Sequence, residues 1–212
     1  MSHATSAQPF RAIALKLVAV TLFVIMAALV KSASDHVPPG EAVFFRSLFA
    51  IPVILGALIL RSELRGGLRV VEPMAHVWRG LVGTTAMGLS FTGLALLPFA
   101  EVKAIQYATP LLVVIFAAMF LGERVRAFRL TAVALGLAGV LIILSPRLGG
   151  LESGNDRLAL GAVVVLASSV CAALAQVFVR KLVVTESTNA IVFWFSVTAS
   201  CLSLLTIPFG WV

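Results

Sequence analysis

The segment that decides the fold runs from Phe99 to Arg129, FAEVKAIQYATPLLVVIFAAMFLGERVRAFR. Ala104 to Leu121 is an apolar run without a charge. It is long enough to cross a bilayer as a helix, since roughly 20 residues at about 1.5 Å each span the hydrocarbon core. Glu101 and Lys103 stand before it, and Gly122, Glu123 and Arg124 close it. Pro110 lies inside the run. In water such a proline would break the helix; in a membrane bundle, neighbouring helices re-satisfy the carbonyl it frees. Gln106, Tyr107 and Thr109 come just before it. A polar, aromatic and proline cluster of this kind is either a kinked packing helix with interfacial anchors or the lining of a polar path.

Working outward, the composition agrees with a membrane chain. Of 212 residues, 60% are hydrophobic and 12% charged, and the mean hydropathy is +1.08. A soluble domain is roughly 45–50% apolar and about 25% charged. The expected fold class is therefore all-α, a polytopic transmembrane helix bundle. The net charge of +7 raises the question of nucleic acid. However, the basic residues stand at the ends of apolar runs, not in a patch interleaved with aromatics, so they read as orientation signals. Cys171 and Cys201 both sit within apolar runs and read as free, small buried residues. His3, His36 and His76 have no ligand spacing. No cofactor or metal is expected.

Seven apolar spans appear: Ala12–Val30, Ala42–Leu60, Val77–Leu97, Ala104–Leu121, Leu130–Leu144, Leu158–Val179 and Ala190–Val212. Arg11 and Lys16 at the first span could imitate a signal peptide, but six further spans favour a retained helix. Lysine and arginine set the orientation. With the N-terminus in the cytoplasm, the inner loops hold Arg61, Arg65 and Arg69, then Arg124, Arg126 and Arg129, then Arg180 and Lys181. The outer connections hold Lys31, Lys103, Arg147 and Arg157, and the Gly149–Asp156 loop lies outside.

Small residues recur at spacings of four: Gly80, Thr84, Gly88 and Thr92 on the third span, and Ala167, Cys171 and Ala175 on the sixth. Ala132 and Gly136 mark the fifth. Such stripes let helix backbones approach closely in lipid. Ionisable residues inside spans say more, because a charge in lipid costs about 2.5–3.5 kcal/mol or more. Arg46 and Glu41 are about 140° apart around a helix and are no obvious pair. Arg46 therefore needs another partner, a watery cavity, or the headgroups. Arg79 and Trp78 read as interfacial anchors. Gln176 aligns with Ser168, Ala172 and Arg180 as a polar stripe facing the bundle interior.

An internal repeat is visible in outline. Glu41-Ala42-Val43-Phe44-Phe45-Arg46 can be laid on Asn189-Ala190-Ile191-Val192-Phe193-Trp194, which sets Trp194 opposite Arg46. Five spans per unit would invert the second copy in the membrane, an architecture common among secondary transporters. At this point the chain resembles the drug/metabolite transporter superfamily, in its EamA-domain branch. The resemblance rests on FFRSLFA (Phe44–Ala50), on LALLPFAEVKAIQYATPLLVVIFAAMFLGER (Leu94–Arg124) and on GLAGVLII (Gly136–Ile143). It implies two five-helix repeats, with 1–146 as the first and 158–212 as an incomplete second. From the family motif, Arg46, Pro110 and Glu123 carry over.

The expected function is that of a permease moving a small metabolite by alternating access. Arg46, Lys103, Gln106, Tyr107, Thr109, Pro110, Gln176 and Trp194 are the candidate substrate-binding residues, and Glu123 and Gly136 the structural or gating ones. The expected partners are a small-molecule substrate, the lipid bilayer and a second copy of the chain; nucleic acid is not among them. The alternatives are a non-transporting assembly protein, an inactive transporter fragment, or an intramembrane enzyme. The last is disfavoured because no H-E-x-x-H, no G-x-S-x-G and no pair of membrane aspartates occurs. The ending Gly210-Trp211-Val212, without a charged flank, reads as an interrupted repeat that would insert but transport poorly alone.

Overall fold

A computed structural model of the chain describes residues 9–148 and 156–211. The described residues form helices α1 (Pro9–Ala33), α2 (Pro39–Leu60), a short α3 (Leu64–Gly67), α4 (Pro73–Leu96), α5 (Phe99–Gln106), α6 (Ala108–Leu121), α7 (Ala127–Leu148), α8 (Asp156–Leu182) and α9 (Thr188–Leu204). With α5 and α6 taken as one span of 23 residues, the seven expected segments are all present. α1, α2, α5–α6, α7 and α8 are each long and apolar enough to cross a membrane, while α9 is shorter. The fifth span begins at Ala127, and the last helix stops at Leu204, ahead of a 3-10 turn at Ile207–Phe209. Apart from Asp156, the Gly149–Asp156 connection lies outside the described residues.

Prolines set several of these boundaries. Pro39 and Pro73 sit in the first turns of α2 and α4, where a fixed φ and a missing N–H cost nothing. Pro110 acts differently. It offers no N–H to the Gln106 carbonyl and its ring crowds that carbonyl. The single helix expected over Ala104–Leu121 is therefore two helices. The first starts at Phe99, and they divide at Tyr107, whose N–H turns tightly onto the Ala104 carbonyl at 3.3 Å. Gly122, with φ +67°, ends α6.

α4 is the central helix. It packs along α8 and also against α9 and α2, while α2 lies on α9 and α6 on α8. Backbones approach where side chains are small. A Cβ on Gly93 would run into Val165 of α8, and one on Gly80 into Thr198 of α9. Ser168 donates across the α4–α8 seam to the Ala86 carbonyl at 2.8 Å. A dry cluster built around Phe91, Leu94, Leu97, Val102, Ile105 and Val165 closes the end where α4 passes into α5. The outer faces are apolar and bare, as at Leu60 and Phe128, 89% and 83% exposed. Such surfaces belong against lipid.

The other end of the bundle is tied by one carboxylate. Glu186, in the turn between α8 and α9, accepts from the N–H groups of Val71 (2.6 Å) and Glu72 (2.9 Å) just ahead of α4. There it complements the positive helix end. His76 Nε2 stands 3.4 Å from the same oxygen, and the Glu186 side chain is fully buried. Ser187 donates to the Gly67 carbonyl and Trp194 Nε1 to the Leu68 carbonyl. Burial pushes the Glu186 carboxyl up, but the two amides and His76 outweigh it and hold the group below the ordinary carboxylate range. A depressed value means that its stabilisation is complete above that range. It is lost as pH falls through the native value.

Replacing Glu186 by Ala removes a charged acceptor from two part-buried N–H groups and is expected to cost about 1–3 kcal/mol. Thermal unfolding of the purified protein would measure it. The wild type should also lose stability on acidification below the ordinary carboxylate range by more than Glu186→Gln does; parallel pH profiles would contradict this account of the tie.

Candidate functional site

Between these two ends lies an open cavity of about 460 Å³. α4 lines it with Arg79, Gly83, Ala86, Met87 and Ser90, a stripe at helical spacing. α8 faces it with Ser168, Ala172 and Gln176, each four residues after the last. Arg46 enters from α2, Gln106 from α5, Thr109 from α6 and Phe195 from α9.

Both arginines are held by soft groups. Arg46 Nη1 rests on Met87 Sδ at 2.7 Å and its Nε faces Met26 Sδ at 3.3 Å. Thioethers are weak acceptors. The Arg79 guanidinium stands over the Phe195 ring at 4.2 Å, and its buried Nε and Nη1 have no hydrogen-bond partner among the described residues. Gly83, one turn along, makes the room. A Cβ there would meet Arg79 Nη1 and come within 2.9 Å of the Phe195 ring. Among the described residues no Asp or Glu lines the cavity. Ion pairs join His76 to Glu186, Arg180 to Glu123 and Lys181 to Glu72, away from the cavity. No group of three His, Cys, Asp or Glu that could hold a metal occurs among the described residues.

Gln106 joins this cavity to a smaller recess. Its Nε2 donates to Ser90 Oγ at 2.7 Å and its Oε1 accepts from Lys103 Nζ at 3.2 Å. Lys103 in turn stands 5.3 Å from the centre of the Phe99 ring. The recess, about 290 Å³, is lined by Val24, Phe99, Lys103, Gln106 and Tyr107.

Arg46, Gln106, Thr109 and Gln176 therefore come together in the main cavity. Lys103 and Tyr107 lie beside it. Pro110 is exposed and lines neither space. Trp194 is at the far end, in an apolar recess with His76 and Val70. Glu123 pairs with Arg180 at 3.3 Å, both about half exposed, and Gly136 gives Leu111 room to pack. Arg79 corrects the sequence expectation. It turns into the cavity rather than anchoring at the interface. Met87, Ser90 and Phe195 were also missed. Gly83, four residues after a charged Arg79 within a span, was the available signal.

The family described as the EamA-like transporter family matches residues 10–145. A pseudopaline exporter of Pseudomonas aeruginosa is 35% identical over 189 residues, covering 89% of this chain and 62% of that protein. An S-adenosylmethionine uptake transporter of Rickettsia prowazekii is 24% identical, covering 81% of this chain and 55% of its own length. An aromatic amino acid exporter of Ancylobacter novellus is 33% identical over 125 residues, 58% of this chain and 42% of that protein. The chain thus spans about three fifths or less of these relatives. One solved crystal structure superposes with a TM-score of 0.59 at 27% identity, covering 92% of this chain and 67% of its own.

Gly83→Ala should dislodge Arg79 from Phe195 and destabilise the protein by about 1–3 kcal/mol, the usual cost of overpacking. Gly88 on the same helix faces open space, so Gly88→Ala should be neutral or stabilising by up to about 1 kcal/mol. Chemical unfolding in micelles would compare the two, and equal effects would contradict the close fit at Gly83.

Proposed function

Because the chain belongs to the EamA-like transporter family, we propose that it acts as a secondary transporter of a small metabolite. It works in the bacterial cytoplasmic membrane by alternating access between inverted repeats. Residues 1–146 form the first repeat, and 158–212 begin the second. One observation carries the reading: a single polar cavity is lined from both units, by α2, α4, α5 and α6 on one side and by α8 and α9 on the other. Motion of one unit against the other would reshape it. The relatives named for export of pseudopaline and for uptake of S-adenosylmethionine support a small molecule as cargo and leave the direction of movement open.

In this reading Arg46, Gln106, Thr109 and Gln176 contact the substrate. Lys103 and Tyr107 form an adjoining vestibule, and the break before Pro110 gives the lining a hinge. Trp194 and Glu123 hold the units together away from the substrate, and Gly136 seats α7. The lysine and arginine pattern puts the N-terminus and the Glu186 tie in the cytoplasm. With the tie made, the inner end is closed.

Uptake or efflux by the protein in liposomes, over a panel of labelled carboxylic acids, amino acids and nucleosides, is the test. Loss of a charge-assisted hydrogen bond is worth about 1.5–3 kcal/mol. Arg46→Ala should therefore slow transport by roughly 10- to 100-fold. Tyr107→Ala should have a smaller effect, and lipid-facing Phe128→Ala should have none. Wild-type rates in Arg46→Ala and Gln106→Ala alike would remove this reading.

A further inference from the structure

We propose that the cavity takes a small dianion, specifically a dicarboxylate, gripped between Arg46 and Arg79; the inference rests on the transporter reading for its assumption that the cavity is the substrate site. The positions of the two guanidinium groups carry it. That of Arg79 lies at the level of Gly83, since a Cβ there would meet its Nη1. That of Arg46 lies on the sulfur of Met87. Gly83 and Met87 are one turn apart on the same face of α4, about 6 Å of rise. The cavity therefore presents two positive forks at successive levels, with no carboxylate among the described lining residues.

Each ligand class meets this arrangement differently. A cation is repelled by both forks. A neutral solute leaves both charges without a counter-ion, and a monoanion leaves one. In a low-dielectric bundle those unpaired charges are the expensive outcome. The guanidinium fork matches a carboxylate through two parallel N–H···O bonds. Arg79 has Nε and Nη1 buried without a hydrogen-bond partner, and a small swing of its guanidinium off the Phe195 ring would free them for such a pair. Arg46 spends its own N–H groups on thioether sulfurs, which a carboxylate would displace. Two levels favour two separate anionic groups over a compact phosphate, whose charges share one centre. Thr109 and Gln176, in the same lining, remain for neutral polar substituents between the two ends.

Binding to the purified protein in lipid nanodiscs tests this without requiring transport. The probes are succinate, succinamate and succinamide, which keep one shape while losing one charge at a time, with glutarate, adipate and inorganic phosphate beside them. Calorimetry should show a dicarboxylate binding at least about tenfold more tightly than the corresponding monoamide, and the monoamide more tightly than the diamide. Arg46→Gln and Arg79→Gln should each erase the preference for the second carboxylate. Arg46→Lys and Arg79→Lys keep the charge without the fork; should a Gln variant fail to fold, the Lys variant should bind several-fold more weakly than wild type while still preferring dianions. Succinamide binding as tightly as succinate, phosphate outcompeting every dicarboxylate, or unchanged discrimination in both substituted proteins would each overturn the proposal. Dicarboxylate binding in a protein that moves nothing would uphold the site and defeat the transporter reading. Transport of neutral solutes alone, without dicarboxylate binding, would do the reverse.

Discussion

A guanidinium group cannot rest in hydrocarbon. Placing one at mid-bilayer costs about 2.5–3.5 kcal/mol or more, and this chain carries Arg46 on α2, a helix apolar enough to cross a membrane, and Arg79 on α4 at the centre of the bundle. No acid among the described lining residues neutralises them. The bundle instead gives them sulfur, an aromatic face and space: Met26 and Met87 around Arg46, Phe195 and the gap over Gly83 for Arg79. The polar lining of the cavity follows from this need. Neutral groups such as Ser90, Gln106 and Gln176 line the same space without pairing off the charge.

A wet middle is stable only between dry ends. At one end the Phe91–Leu94–Leu97 cluster packs α4 and α5 onto α8. Gly161 allows this, because a Cβ there would press on Leu96 and Leu97. At the other end Glu186 replaces apolar packing with a buried anion on two amides. The two closures differ in kind. The first is broad and nonpolar, and the second is a few directed bonds between separate helical units. A few bonds of that sort can break and reform together, which suits the end that opens in the proposed transport cycle. Arg79 and Ser90 both lie well inside α4, so the cavity sits between the closures.

The helix pattern was legible because lipid imposes it: long apolar runs with charged ends have few other structures open to them. The family resemblance read from Phe44–Ala50 and Leu94–Arg124 pointed to the same fold. What the runs did not disclose was the interior of each helix. The Ala104–Leu121 run hid the break at Tyr107, since hydropathy is blind to the hydrogen bond that Pro110 removes. Arg46, Gln106, Thr109 and Gln176, which all line the cavity, stood out in the sequence because a polar group in lipid is conspicuous. Arg79 was misread because it lies close to the start of the apolar run Val77–Leu97, where arginines commonly snorkel outward, whereas α4 itself begins at Pro73. Its inward turn depends on Gly83 and on Phe195, which is remote in sequence. Trp194 was drawn into the site by its alignment with Arg46, yet the structure brings its indole to the Leu68 carbonyl instead.

Water in the middle of the bundle is the central claim, and two adjacent positions on α8 test it. Ala172 lines the cavity, whereas Ala173 is 0% exposed and packed. In a protein with Cys171 and Cys201 replaced by Ser, Ala172→Cys and Ala173→Cys would be treated with a charged methanethiosulfonate reagent, which attacks only a hydrated thiolate. The account predicts rapid modification at 172 and almost none at 173, although both lie at the same depth. Equal rates, or an inert cysteine at 172, would contradict it.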